Sequence, residues 1–219
     1  MLSYTEENYL KTIFHLQKAS TAGVPTNALA EHIDAKASSV TDMIKKLSAK
    51  GLVDYKKYQG VRLSPIGETS ALKVIRRHRL WEFFLVEKLK FSWSEVHEVA
   101  EQLEHVQSTK LTEELDRFLG FPKKDPHGDP IPDAEGRMPN LGKILLAEME
   151  EGDYGICSGV RDTARDFLEY LDRLGISLGS EIHILKKESF DNSILISLND
   201  KKIQITQIVA NNVYIKPNE

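Results

Sequence analysis

The chain has 219 residues, is 41% hydrophobic and 28% charged, and carries a formal net charge of −4, the balance of a water-soluble globular protein with one or two domains. No apolar run approaches the roughly 20 residues of a membrane span, and Met1-Leu2-Ser3 opens into a polar helix start with no secretory signal. A single cysteine, Cys157, excludes an intramolecular disulfide framework and a thiolate zinc site, so the expectation is a cytoplasmic protein without a membrane partner.

Ser3-Tyr4-Thr5-Glu6 has capping-box spacing and predicts a helix to about Lys18, with Leu10, Ile13, Phe14 and Leu16 at helical period. Ala19 to Pro25 reads as a turn. Thr26 is expected to cap a short helix to Ile33, Asp34-Ala35-Lys36 to turn tightly, and Ser38 or Ser39 to cap a second helix to about Lys50. Val40, Met43, Ile44 and Leu47 line one face of that helix, and Gly51 ends it. Leu52–Tyr55 and Val61–Leu63 read as two strands of a hairpin.

Helix, helix, tight turn, helix and hairpin make a winged helix-turn-helix. Residues 1–65 hold nine Lys/Arg against six Asp/Glu on a chain that is otherwise acidic, and Lys45–Arg62 holds six cations and one acid. A basic patch on an acidic protein points to an anionic partner, here double-stranded DNA. The third helix exposes Lys36, Ser38, Ser39, Thr41, Asp42, Lys45 and Lys46, and the wing tip carries Lys56 and Lys57. Ser38 and Asp42 are expected to face base edges, Ser39 and Thr41 to orient the helix, and the lysines at 45, 46, 56 and 57 to meet phosphate. A helix-turn-helix used only for protein contact is the alternative.

A long helix follows, about Glu68 to Lys90, with Leu72, Ile75, Leu80, Trp81, Phe84, Leu85 and Leu89 spread over more than one side. That spread suits a helix covering its own domain and a second subunit, with Trp81, Phe84 and Leu85 in a homodimer interface. On the next helix His97, Glu101, Glu104 and His105 fall, at about 100° per residue, within one arc. No Lys or Arg lies between Lys90 and Lys110, whereas Glu95, Glu98, Glu101 and Glu104 all do. Imidazole with carboxylate suits a borderline divalent cation, and a cation would relieve the like-charge repulsion. His78 and Glu82, at i and i+4, are placed to close such a site. An amphipathic helix with a wet side, Val96, Val99, Leu103 and Val106 turned inward, is the other reading.

Another helix, about Ser108 to Leu119, precedes the proline- and glycine-rich loop Gly120 to Asn140. Beyond Leu141 come short strands around Ile144, Ile156, Ile184, Ile196, Gln204 and Tyr214, with one helix from Ala164 to Leu174, the pattern of a small barrel. The fold class is mainly α with a small β domain. The division is a winged helix-turn-helix over 1–67, a helical dimerisation and metal-binding domain over 68–140, and an SH3-like domain over 141–219.

Several segments in one order carry a resemblance: Arg77-His78-Arg79-Leu80 with Glu82, Val96-His97-Glu98, Glu101-Gln102-Leu103-Glu104-His105, and Asp125-Pro126-His127-Gly128-Asp129-Pro130-Ile131-Pro132. Together they make the chain resemble, end to end, the diphtheria toxin repressor family of metal-dependent transcriptional repressors, and most closely its manganese-responsive, three-domain branch. The resemblance implies two Mn²⁺ or Fe²⁺ sites per subunit. The first takes Asn8, Glu101, Glu104 and His105. Asn8 stands where the family often has Asp or Met, Lys11 where some manganese sensors place a second acidic ligand, and Glu101 where iron sensors carry Cys. The second takes His78, Glu82 and His97, joined in the manganese branch by Asp125, His127 and Asp162; His78 is ambiguous between the two. Asp162 reads equally as a cap for the helix at Ala164, and His127 as a surface-loop histidine.

The resulting expectation is a homodimeric, metal-dependent repressor of metal-homeostasis genes that binds palindromic operators, with no catalytic residues and no small-molecule substrate. A metal-dependent hydrolase using the His/Glu cluster is the rival from another class, although the chain has no nucleophile motif and no helical H-E-x-x-H. A metal-independent winged-helix regulator is the other.

Overall fold

The computed structural model describes residues 2–18, 23–56, 59–139 and 142–217. In chain order it contains α1 (Tyr4–Lys18), α2 (Thr26–Ile33), α3 (Ala37–Ala49), β1 (Val53–Lys56), β2 (Gly60–Leu63), α4 (Pro65–Leu89), α5 (Val96–Leu103) and α6 (Thr109–Phe118). Then come β3 (Ile144–Leu145), a 3-10 turn (Leu146–Glu148), β4 (Tyr154–Val160), α7 (Arg165–Leu174), β5 (Glu181–Lys187), β6 (Ile194–Leu198), β7 (Lys201–Ile205), α8 (Gln207–Ala210) and β8 (Val213–Pro217). The chain divides into two compact bodies. One comprises Met1–His78, Gln102–Thr109 and Pro132–Met138; the other comprises Arg79–Glu101, Lys110–Ile131 and Pro139–Glu219.

The first body is the winged helix-turn-helix. Its start is the reciprocal capping box: the Ser3 N–H donates to Glu6 Oε2 at 3.0 Å and the Glu6 N–H to Ser3 Oγ at 3.3 Å. Leu10, Ile13, Leu29, Val40, Ile44 and Leu47 are fully buried together, and each such side chain contributes about 1.5–3 kcal/mol over an exposed one. Between α2 and α3, Asp34 takes the left-handed conformation at φ 54 and the Ala35 N–H closes on Ala30 O at 2.9 Å. Gly51, at φ +69, ends α3 with its N–H on Ser48 O and the Leu52 N–H on Leu47 O, the glycine-terminated exit expected there. In the hairpin Val53 faces Leu63 and Lys56 faces Gly60, and Val24 adds an antiparallel bridge to Val61. At the start of α4, Ser64 Oγ accepts the Gly67 N–H at 3.1 Å. A Cβ on Gly67 would lie 1.8 Å from Leu52 O, so only glycine lets this turn rest on the wing.

Two local expectations differ. Pro25 precedes α2 and Lys36 precedes α3, both extended and neither with a side-chain cap bond, so neither Thr26 nor Ser38 nor Ser39 caps a helix. Helix α5 ends at Leu103, two residues short of the expected helix, so Glu104 and His105 lie in the following turn. Of the wing-tip residues Lys57 lies outside the described set, while Lys56 is exposed at the end of β1.

The second body holds two cores. Leu80, Leu115 and Ile131 form a small one, with Trp81, Phe84 and Leu119 partly buried against it. A larger one lies under an antiparallel sheet of order β3-β8-β4-β5-β6-β7, and α7 contributes Leu168 and Leu171 to it. The proline-rich loop is fastened to β4: the Val160 N–H donates to His127 O at 2.8 Å. Gly128, at φ +82, lies so close to β4 that a Cβ would be 1.9 Å from Ser158 O.

Candidate metal centres and nucleic-acid interface

In the first body, α1, α4 and the turn after α5 bring six ionisable or donor side chains together. Glu104, fully buried, accepts both from Lys11 Nζ, at 2.8 Å on each oxygen, and from His78 Nδ1 at 2.6 Å. Glu7, also buried, accepts from Arg77 Nη2 at 2.7 Å and from His105 Nδ1 at 2.6 Å. Arg77 Nε also donates to the Glu104 carbonyl oxygen. Tyr4 lies on the His105 ring at 3.9 Å between centroids, and the Gln107 side-chain N–H donates to Leu2 O at 2.8 Å. The cation missing from α5 therefore arrives from α1 and α4.

Two buried atoms here have no hydrogen-bond partner: Asn8 Oδ1 and His105 Nε2. A buried acceptor left unpaired costs about 1–3 kcal/mol. His105 Nδ1 faces the Glu7 carboxylate at 2.6 Å, which leaves Nε2 as the ring nitrogen open to a metal. Glu104 Oε1 is 3.4 Å from that nitrogen. An amide oxygen, an imidazole nitrogen and a carboxylate fit a divalent cation of the Mn²⁺–Fe²⁺ type.

In the second body, Glu82 Oε1 lies 3.3 Å from His97 Nδ1 and 3.5 Å from His127 Nε2, and His97 Nε2 lies 3.4 Å from Glu101 Oε1. His127 is buried, not a surface-loop residue, and neither ring nitrogen has a hydrogen-bond partner. Trp93 stacks on it at 6.3 Å, held by an Nε1–H bond to Asp172. Burial lowers the His127 pKa, but the Glu82, Asp125 and Asp129 carboxylates outweigh it and the net shift is upward. Asp125 Oδ1 accepts the N–H groups of His127 and Asp129 at 2.8 and 2.9 Å, and Arg79 Nε is 3.4 Å from Oδ2. Burial pushes the Asp125 carboxyl up to about 7; Glu82 adds to the rise and Arg79 opposes it. Asp162 is exposed and accepts the Ala164 N–H at 2.9 Å just ahead of α7.

On α3, Ser38, Ser39, Asp42, Lys45 and Lys46 are exposed, Thr41 is half-buried, and Lys36 is exposed just ahead of the helix. Thr41 Oγ1 donates back to Ala37 O, and Lys45 pairs with Asp42 at 3.3 Å. Lys46 and Lys50 share Glu6, at 3.0 and 2.7 Å from Oε1. Burial works to raise the Glu6 carboxyl, but Lys50, the Ser3 N–H and Lys46 together hold it at about 2. Glu7, Arg77 and Trp93 are the participants that sequence reasoning missed. Glu7 looks like any acid in a first helical turn, and Arg77 and Trp93 carry no spacing signal.

Comparison with known proteins matches three family models in succession. They are the N-terminal DNA-binding domain of iron-dependent repressors over residues 1–61, the metal-binding and dimerisation domain of the same repressors over 64–133, and the FeoA domain over 144–217. A solved manganese-dependent transcriptional repressor in complex with manganese is 36% identical with a TM-score of 0.86, over 97% of this chain and all of that one. The manganese regulator SloR is 31% identical with a TM-score of 0.78, over 97% of this chain and 98% of its own. The diphtheria toxin repressor of Corynebacterium glutamicum is 26% identical over 97% of this chain and 96% of its own length. No helix among the described residues is long and apolar enough to cross a membrane. With 36% identity over the full length of a solved relative and three domain matches in the same order, the chain belongs to the diphtheria toxin repressor family of metal-dependent transcriptional repressors.

Proposed function

We propose that this protein is a cytoplasmic homodimer that represses metal-homeostasis genes by binding palindromic operators when loaded with Mn²⁺ or Fe²⁺. In this reading residues 1–67 bind DNA, 68–140 dimerise and hold metal, and 141–219 form the SH3-like domain. The observation that carries it is the pair of buried, unpartnered donor atoms, Asn8 Oδ1 and His105 Nε2, in the body that also bears α3. The manganese complexed by the 36%-identical structural relative supports Mn²⁺ as the metal.

One centre uses Asn8, Glu104 and His105, with His78 steadying Glu104. The other uses Glu82, His97, Glu101 and His127, with Asp125 holding the loop that presents His127. A divalent cation held at the first centre would supply positive charge for the Asn8, Glu104 and His105 side chains to meet. Asn8 offers a neutral oxygen from the DNA-binding domain. His105 offers Nε2 from the segment that matches the dimerisation domain, and Glu7 orients the ring through Nδ1. Joining the two segments orients α3, so metal and DNA each raise the other's affinity. Ser38 and Asp42 then face base edges, while Lys36, Lys45, Lys46, Lys56 and Lys57 meet phosphate, with Ser39 and Thr41 beside them. Across the dimer, Trp81 and Phe84, edge-to-face at 5.8 Å, and Phe118, 65% exposed, supply apolar surface, whereas Leu85 is buried within the subunit.

The test is an electrophoretic shift of promoter DNA with purified protein. It should appear with Mn²⁺ or Fe²⁺, vanish with chelator, and be lost in His105→Ala while circular dichroism stays unchanged. A shift of equal strength in chelator would overturn the reading.

A further inference from the structure

Lys11 reaches from α1 to a carboxylate 93 residues away in sequence and donates to both of its oxygens at 2.8 Å. The acceptor, Glu104, has no exposed surface, and the Lys11 side chain keeps only 13% of its own. A paired, bidentate ammonium inside a body is not a solvated surface lysine. It is a cation on the carboxylate that the proposed function assigns to a metal. Two further bonds run alongside it: Glu7 of α1 to His105, and Gln107 to Leu2. Each carboxylate in this cluster has a cation on it, Lys11 on Glu104 and Arg77 on Glu7.

We infer that Lys11 is a tethered cation that stands in for metal at Glu104: it holds the 104–107 turn to α1 in the metal-free protein, and a divalent ion must compete with it for that carboxylate. The competitive half rests on the metal-dependent reading above; the holding half does not. A unit charge beside Glu104 repels an entering divalent ion in a low-dielectric setting, and the ion must also replace two charge-assisted hydrogen bonds. Asn8 Oδ1 and His105 Nε2 remain available to the ion.

The experiment compares wild type, Lys11→Met and Lys11→Arg as full-length proteins, by amide hydrogen exchange in chelator and by calorimetric titration with Mn²⁺. In chelator, Lys11→Met should exchange the amides of residues 102–109 at least about tenfold faster, with the core of α3 unchanged, and Lys11→Arg should stay near wild type. Added Mn²⁺ should restore protection in Lys11→Met. Its Mn²⁺ affinity at the centre lost in His105→Ala should exceed wild type by about tenfold or more. Unchanged exchange in Lys11→Met overturns the holding role. Faster exchange with unchanged or weaker Mn²⁺ binding overturns the competition. If wild type binds DNA without regard to Mn²⁺, the metal-dependent reading fails, and the exchange result in chelator still decides whether Lys11 holds the turn.

Discussion

The two His/Glu clusters are built from the same residue types but differ in who neutralises the charge. In the first, each buried carboxylate has a cation of its own: Glu104 has Lys11 and Glu7 has Arg77. In the second, Asp125 is buried with Arg79 at 3.4 Å, and Glu82, also buried, faces the imidazoles of His97 and His127 at 3.3 and 3.5 Å. The consequence is visible in Asp125, whose carboxyl burial and Glu82 push up to about 7. Breaking a buried carboxylate's pairing with Lys or Arg is costly; Glu82 instead faces two imidazoles, His97 and His127.

The largest expected effect separates the two directly. Glu104→Gln removes the counter-charge of the Lys11 ammonium and should cost about 3 kcal/mol of unfolding free energy. Glu82→Gln removes a carboxylate that faces two imidazoles but also raises Asp125, and should cost less, about 1 kcal/mol, in metal-free protein. Urea unfolding in chelator measures both. Equal costs, or a larger cost at Glu82, would break the comparison.

Glu6 extends the first pattern to a third place. It is buried, with Lys46 and Lys50 on it, so Glu6→Gln should cost about 1–2 kcal/mol at neutral pH. Its folded pKa of about 2 lies below the ordinary glutamate value of 4.5. Its contribution is therefore complete above that unfolded value and is lost as pH falls from about 4.5 towards 2. The gap between wild type and Glu6→Gln should close over that window; a gap constant from neutral pH to about pH 3 would show that the carboxylate's charge contributes nothing.

The smallest effect sharpens the DNA side. Lys46 shares Glu6 with Lys50, so Lys46→Ala should alter stability by less than about 1 kcal/mol. Operator binding should weaken for all sequences alike, with a salt slope lower by about one. A variant whose affinity and slope both match wild type would leave Lys46 as a partner of Glu6 alone.

Much of this molecule was legible before folding. The capping box at Ser3 and Glu6, the apolar stripes of α1 and α3, and Gly51 at the end of α3 are local patterns, and each stands where its spacing predicts. The C-terminal strands were read to within a few residues for the same reason. Caps were less legible, because Thr26, Ser38 and Ser39 are good capping types that the extended Pro25 and Lys36 displace.

By itself the sequence determined the order of the elements, the basic N-terminal character and the presence of imidazoles with carboxylates, since these depend on neighbours a few residues apart. Only the tertiary structure decided which groups share a cluster. Helix α5 ends at Leu103, so Glu104 and His105 lie in the following turn. Lys11 and Arg77, remote in sequence, supplied the cations that the stretch from 91 to 109 lacks. Helical periodicity constrains residues within a turn or two, whereas a buried carboxylate is satisfied by whichever cation the packing of distant segments delivers.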